Sequence, residues 1–297
     1  MDNQRRFPLI LSSFWLKIIA LLTMTIDHVG YMLEPMTVGV VFRYIGRLAL
    51  PLFVFMIVEG AIHTKNFKKY ALRLGVMAGF ISLAILLSEV IPFFKNNGFS
   101  MRDEGNIFID LLLCAVAVYL LRQDKWYLKL LALLPLAFGI TSFIVSAYEC
   151  VGCGNIVYWF PFFIRTQYGF YAVLMALLFY GATLLTKAFS SYHSSITGVD
   201  KQLYVGSNFE RHVNNIFSVF AIIIATFVLY FVCKNMPSGT ISLNIDVQLI
   251  AMVSGAFILL YNGERGYNKK WFQYGSYFYY IVHLAVIYLV FYLITLI

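Results

Sequence analysis

Leu16-Lys-Ile-Ile-Ala-Leu-Leu-Thr-Met-Thr-Ile-Asp-His-Val-Gly-Tyr31 is the first long apolar stretch of the chain, and it carries Asp27 and His28 side by side. An ionisable group at bilayer depth costs at least about 2.5–3.5 kcal/mol on insertion scales, so it normally faces a protein interior or a water cavity and marks a working site. Two adjacent ones point to chemistry inside a membrane.

The rest of the composition agrees. Hydrophobic residues make up 61% of the 297 and charged residues 12%, with 28 Phe and 21 Tyr. That is more apolar material than one soluble core hides, and it describes a multi-pass protein of the cell membrane. Backbone polar groups must be satisfied within each span, so the fold class is all-α, a polytopic transmembrane helical bundle.

Nine helices are expected, at about 14–33, 38–62, 70–92, 107–121, 127–147, 168–188, 214–233, 246–261 and 271–296, with ten as the alternative count. Each crossing takes roughly 20 residues. The fourth and eighth runs are short, and Pro92, Pro135 and Pro161 sit near ends, so a broken or re-entrant helix is allowed. No linker or internal repeat divides the chain, and 1–297 is read as a single integral membrane domain.

Lys and Arg accumulate on the cytoplasmic side of membrane proteins. A cytoplasmic N-terminus places 16 of the 22 inside: Arg5, Arg6, Lys17, Lys65, Lys68, Lys69, Arg73, Arg122, Lys125, Lys129, Lys187, Lys201, Arg211, Arg265, Lys269 and Lys270. Arg43, Arg47, Lys95, Arg102, Arg165 and Lys234 fall outside. The net charge of +8 thus follows from topology, and no basic run with interleaved aromatics suggests a nucleic-acid partner.

Cys114 and Cys233 read as packing residues. Cys150 and Cys153 form a Cys-Val-Gly-Cys turn in an outward loop, where an oxidising exterior permits a disulfide. The loop lacks further ligands, and no metal site is expected. The polar stretch from Ser190 to Arg211, with His193, reads as a cytoplasmic loop, as does neighbouring His212.

In the second span, Arg43 and Arg47 are four apart, as are Glu59 and His63, so each pair shares a helix face. Arg43 can snorkel to the interface, whereas Arg47 and Glu59 lie deeper. Arg47 reads as part of a site or as partner to a buried acid such as Asp27. Between the last two spans, Asn262-Gly263-Glu264-Arg265-Gly266 reads equally as a tight hairpin and, with Lys269 and Lys270, as a place for phosphate. His283 is a further imidazole inside an apolar run.

These segments together resemble the TraX family of membrane acyltransferases, within the wider transmembrane acyltransferase and acyltransferase-3-like superfamily. The resemblance covers most of the chain. Its carriers are the 16–31 stretch, Ile45-Gly-Arg-Leu-Ala-Leu-Pro-Leu-Phe-Val-Phe-Met-Ile-Val-Glu-Gly60, His63-Thr-Lys-Asn66, Tyr261-Asn-Gly-Glu-Arg-Gly266 and Tyr-Ile-Val-His283-Leu. It implies acetyl-CoA as donor from the cytoplasm and an acceptor presented at or across the membrane, a pilin-like N-terminus or a cell-surface glycan.

On that reading His28 is the general base, Asp27 or an arginine such as Arg47 sets its tautomer or steadies the oxyanion, and Arg73, Lys65, Asn262, Arg265 and Lys269 receive CoA. Arg43, Glu59, His63 and His283 support the site. Neighbouring helical residues point about 100° apart, so Asp27 is expected to pair with Arg43 or Arg47 rather than with His28. The alternative is a proton-coupled transporter in which Asp27, His28, Glu59 and Arg47 form a pathway; its inverted repeats are not found. Besides acetyl-CoA and the acceptor, the expected partners are membrane lipids and, as an open question, further copies of the chain as a homo-oligomer.

Overall fold

The computed structural model describes residues 8–34, 36–96, 100–151, 157–236 and 245–295. Among these residues thirteen α-helices run in order: α1 (Ser13–Met32), α2 (Thr37–Gly46), α3 (Ala49–His63), α4 (Phe67–Val90), α5 (Pro92–Asn96), α6 (Ile107–Leu121), α7 (Trp126–Leu131), α8 (Leu133–Val151), α9 (Phe170–Thr197), α10 (Asn208–Lys234), α11 (Ile245–Gln248), α12 (Gly255–Leu259) and α13 (Lys270–Thr295). Among the described residues there is no strand, only an isolated parallel bridge between Leu11 and Tyr261.

Among the described residues, six segments are long and apolar enough to cross a membrane: Thr37–His63, Phe67–Val90, Trp126–Glu149, Phe170–Thr197, Asn208–Lys234 and Lys270–Ile294. The protein is a multi-pass membrane protein. The expectation of nine or ten spans is therefore corrected, although each of the nine stretches does contain helix. Ile107–Leu121 and Ile245–Leu259 are shorter apolar helices; 15 residues of α-helix rise only about 22 Å, against about 30 Å of hydrocarbon. The second of these is also interrupted by a 3-10 turn at Leu249–Ser254. Helix α1 has the length, 20 residues, but Lys17, Asp27 and His28 dilute its apolar character.

The expected second helix, 38–62, breaks at Arg47 and Leu48. Pro51 explains the break, because it has no N–H to give to the Arg47 carbonyl and is tolerated only in the first turn of the helix that follows. Arg47 N and Leu48 N instead make short-range bonds to Tyr44 O and Ile45 O, at 3.3 and 3.2 Å.

The helices divide between two compact units. The first comprises Met1–Met56, Leu178–Phe227 and Asp246–Ile297. Its α1 and α2 pack backbone to backbone across small residues: a Cβ on Gly30 would lie 2.7 Å from that of Phe42, and one on Gly39 would lie 2.6 Å from the Leu33 carbonyl. Helix α13 is tied to α1 by the hydroxyls of Thr25 and Tyr279, 2.7 Å apart. Phe55 meets Phe179 and Tyr261 edge-on, with centroids 5.4 and 5.3 Å away, contacts worth about 0.5–1.5 kcal/mol each beyond burial.

The second unit comprises Ile57–Leu177 and Val228–Ile245. Helix α6 is pinned to α4 by Asn106, which donates to the Ala78 carbonyl at 2.8 Å and to Ser82 at 2.9 Å while accepting from Phe108 N. Arg122 donates to the Ala61 carbonyl at 2.6 Å, and Tyr119 stacks on Phe67 with centroids 3.9 Å apart.

Candidate functional site

In the first unit Asp27 is buried and lies between two guanidinium groups. Arg43 Nη1 donates to Oδ2 at 2.8 Å and Arg47 Nη2 to Oδ1 at 2.7 Å. The break after α2 aids this: Arg47, at the C-terminal cap, also donates from Nε to the Arg43 carbonyl at 3.2 Å. Sequence expected one arginine on Asp27; the structure places both there. Two guanidiniums against one carboxylate leave a formal surplus of one positive charge beside His28. The Arg47 side chain is 6% exposed and that of Arg43 25%, so Arg43 is the less enclosed of the two, lying over the Tyr31 ring at 5.4 Å.

His28 turns away from Asp27, as adjacent helical positions require. Its Nδ1 lies 2.8 Å from the Met24 carbonyl and 3.3 Å from Nε2 of His283 on α13. His283 is buried, stacks on Tyr279 with centroids 5.1 Å apart, and places its own Nδ1 2.8 Å from the Tyr279 carbonyl. The structure thus joins His28 to His283, a residue assigned from sequence only to support, and separates both from Asp27.

The Tyr261–Gly266 turn is fixed by α1. Ser13 N and Phe14 N, open donors at a helix start, bond to the carbonyls of Glu264 and Arg265 at 2.8 and 3.2 Å, and Asn262 N bonds to Leu11 O at 2.9 Å. Asn262 Oδ1 accepts from Glu264 N, an Asx turn. Gly263 has φ +81°, and a Cβ there would lie 2.7 Å from the Arg211 guanidinium, which rests over the Tyr261 ring. The backbone thus turns tightly at Asn262–Glu264, and the side chains of Arg265, Lys269 and Lys270 are exposed around it.

Glu59, His63, Lys65 and Arg73 belong to the second unit. His63 is exposed, with Nδ1 2.9 Å from the Glu59 carbonyl and 3.8 Å from its carboxylate. Lys65 is exposed, and Arg73 Nε donates to the Lys69 carbonyl at 3.2 Å.

Two acids escaped the sequence reading. Asp110 in α6 is fully buried, and its Oδ2 accepts from Gln167 N and Tyr168 N at 2.7 and 3.3 Å, just before α9 begins. Glu149 takes both Nη groups of Arg165 at 2.7 Å and Val157 N at 2.7 Å, with Arg102 3.5 Å away. An acid inside the apolar run 107–121 was a readable signal for Asp110; the Glu149 cluster joins segments that no local pattern connects. Among the described residues no group of three or more His, Cys, Asp or Glu could hold a metal ion. The Cys150 side chain and Cys153 lie outside the described residues, as do Arg5 and Arg6.

The family model described as TraX protein matches residues 12–291, a range that takes in the Asp27 cluster, the 261–266 turn and His283. The chain belongs to the TraX family. This TraX protein is also 33% identical over 112 residues, 36% of its length, to the probable fimbrial assembly protein FimC, serogroup H1, of Dichelobacter nodosus. That match spans 45% of the relative, less than half of its length. No solved structure matches the chain.

Proposed function

We propose that this TraX protein is an acetyl-CoA-dependent O- or N-acetyltransferase of the acyltransferase-3-like superfamily, with its N-terminus in the cytoplasm. It takes the acetyl group from cytoplasmic acetyl-CoA and delivers it to a membrane-associated or extracytoplasmic acceptor, a pilin-like N-terminus or a cell-surface glycan. The observation that carries this reading is a half-buried imidazole, His28, whose Nδ1 is engaged by the Met24 carbonyl next to a cluster with a surplus positive charge.

A carbonyl can only accept, so the His28 proton sits on Nδ1 and Nε2 carries a lone pair. As the acceptor oxygen or nitrogen attacks the thioester, Nε2 takes its proton; the new C–O or C–N bond forms and the C–S bond breaks. The imidazolium then returns the proton to the departing CoA thiolate, and the residue ends as it began. Arg43, the more exposed guanidinium, is placed to steady the tetrahedral oxyanion, while Arg47 and Asp27 hold it in position. Arg265, Lys269 and Lys270, with Asn262 shaping the turn, offer charge to the CoA phosphates, and Lys65 and Arg73 are the second candidate place. The link to fimbrial assembly carried by the relative's name favours pilin among the acceptors.

The test is incubation of the purified protein with radiolabelled acetyl-CoA, with and without a pilin N-terminal peptide or surface glycans. Label on an acceptor that depends on His28 is the expected result. Absence of transfer to every acceptor overturns the reading, and full transfer by a folded His28→Ala protein removes His28 as its base.

A further inference from the structure

We infer that His283 is a positioning residue for the transfer step: its Nε2 lone pair receives the His28 Nδ1–H and holds that ring in the tautomer whose Nε2 takes the acceptor's proton. The inference rests on the acetyl-transfer reading of His28.

The hydrogen bookkeeping leaves one arrangement for two neutral rings. His283 Nδ1 lies 2.8 Å from the Tyr279 carbonyl, which has no hydrogen to give, so Nδ1 is the protonated nitrogen and Nε2 can only accept. That Nε2 lies 3.3 Å from His28 Nδ1, whose other neighbour, the Met24 carbonyl at 2.8 Å, is also an acceptor. The one hydrogen between them is the His28 Nδ1–H, shared by two acceptors. The Met24 carbonyl alone is a single point about which the ring can pivot; without His283 the ring of His28 turns about its Cβ–Cγ bond, gives up the Met24 bond and exchanges tautomers.

His283 is itself held. Tyr279 lies parallel to it, 6° between planes, and the Tyr279 hydroxyl is 2.7 Å from Thr25, three residues before His28 on α1. Tyr280 meets His283 and His28 edge-on, with centroids 5.5 and 6.3 Å away. Both imidazoles are thus referenced to the same helix pair, α1 and α13.

In a hydrolase triad a carboxylate orients the imidazole. Here the nearest carboxylate in the chain, Asp27, is already held by two arginines, and a neutral imidazole from 255 residues away takes the orienting place. When His28 gains the acceptor's proton at Nε2, its Nδ1–H bond to His283 becomes charge-assisted. His283 neither gains nor loses a proton; that proton leaves from Nε2 of His28 to the thiolate.

Nitrogen-15 NMR of histidine-labelled protein in detergent, combined with steady-state kinetics, tests this. Wild type should show His28 as a single Nδ1–H tautomer. His283→Phe keeps an aromatic ring but no acceptor; it should mix the tautomers and lower kcat by about 10², with KM for acetyl-CoA within about twofold. His283→Gln restores an acceptor near the Nε2 position and should recover most of kcat. If the Phe protein fails gel filtration, His283→Leu replaces it in the comparison. Wild-type kcat in His283→Phe or His283→Leu, or an unchanged His28 tautomer there, overturns the inference. The parallel wild-type and His28→Ala proteins separate the two ideas: loss of transfer in His28→Ala with full activity in the His283 variants sinks only the role of His283, transfer retained in His28→Ala sinks the His28 assignment on which it rests, and no transfer by wild type sinks the acetyl-transfer reading itself.

Discussion

Gly46 lies directly against the Asp27 side chain: a Cβ built on Gly46 would overlap the Asp27 carboxylate and its Cβ. The absence of a side chain at Gly46 is what allows α2 to present Arg43 and Arg47 to the same carboxylate. Gly46→Ala must move α2 away from α1 or turn Asp27 off its partners. Overpacking of this kind costs about 1–3 kcal/mol, so the unfolding midpoint in detergent should fall and acetyl transfer with it. Gly79→Ala is the control, since that glycine has open space around it and the change should be neutral. A Gly46→Ala midpoint equal to that of Gly79→Ala would show that the two helices do not need this contact.

The two arginines on Asp27 are not equivalent. Removing one partner of a buried pair strands the rest, at about 3–5 kcal/mol, whereas a less enclosed partner leaves less desolvated charge behind. Arg47→Leu should therefore destabilise far more than Arg43→Leu, given side-chain exposures of 6% and 25%. Arg43→Leu should instead mainly lower kcat. Unfolding in mixed micelles and kinetics on the two variants measure this, and equal stability losses would refute the division of roles.

Much of this site was legible because its signals were local. Asp27 and His28 stood out as ionisable residues in an apolar run, and the i, i+4 spacing of Arg43 and Arg47 put them on one face. Pro51 was a readable signal for the break at Arg47 that the reading of 38–62 as one helix passes over. The partnership of His28 with His283 was not legible, because nothing in either segment encodes which helix packs on which. The same holds for the Glu149 and Arg165 pair. The excess in span count has two origins: crossing requires length as well as apolar character, which Ile107–Leu121 and Ile245–Leu259 lack, whereas α1 has the length but is diluted by Lys17, Asp27 and His28. The motif Asn262–Gly266 reads equally as a turn and as a phosphate place; its backbone turns, and its role as the cap on α1 depends on Ser13 and Phe14, some 250 positions earlier.

Gly263→Ala tests that cap. With φ at +81° an alanine is strained by about 1–2 kcal/mol, and its Cβ would meet the Arg211 guanidinium at 2.7 Å. The turn should lift from α1, and amide exchange at Ser13 and Phe14 should quicken because their acceptors are the Glu264 and Arg265 carbonyls. Adding Arg211→Ala removes the clash but not the backbone strain, so the double variant should lose less than the sum of the two singles. Strict additivity would mean that Arg211 does not press on the turn.

Arg265 offers the sharpest test of where CoA enters. Its carbonyl is bonded to Phe14 N at 3.2 Å, which fixes the backbone, while its side chain is exposed beside Lys269 and Lys270. A guanidinium on an anchored turn loses little entropy in meeting a phosphate, and hydrogen bonds to charged groups contribute about 1.5–3 kcal/mol. Arg265→Gln should weaken acetyl-CoA binding by that amount, and added salt should weaken wild type more than the variant, because screening acts on the charge that has been removed. Calorimetry in detergent on Arg265→Gln and, in parallel, on Arg73→Gln reads both. If Arg265→Gln binds as wild type does and Arg73→Gln does not, the phosphate site lies in the second unit near Lys65, and the cations of the 261–270 turn serve only to set topology.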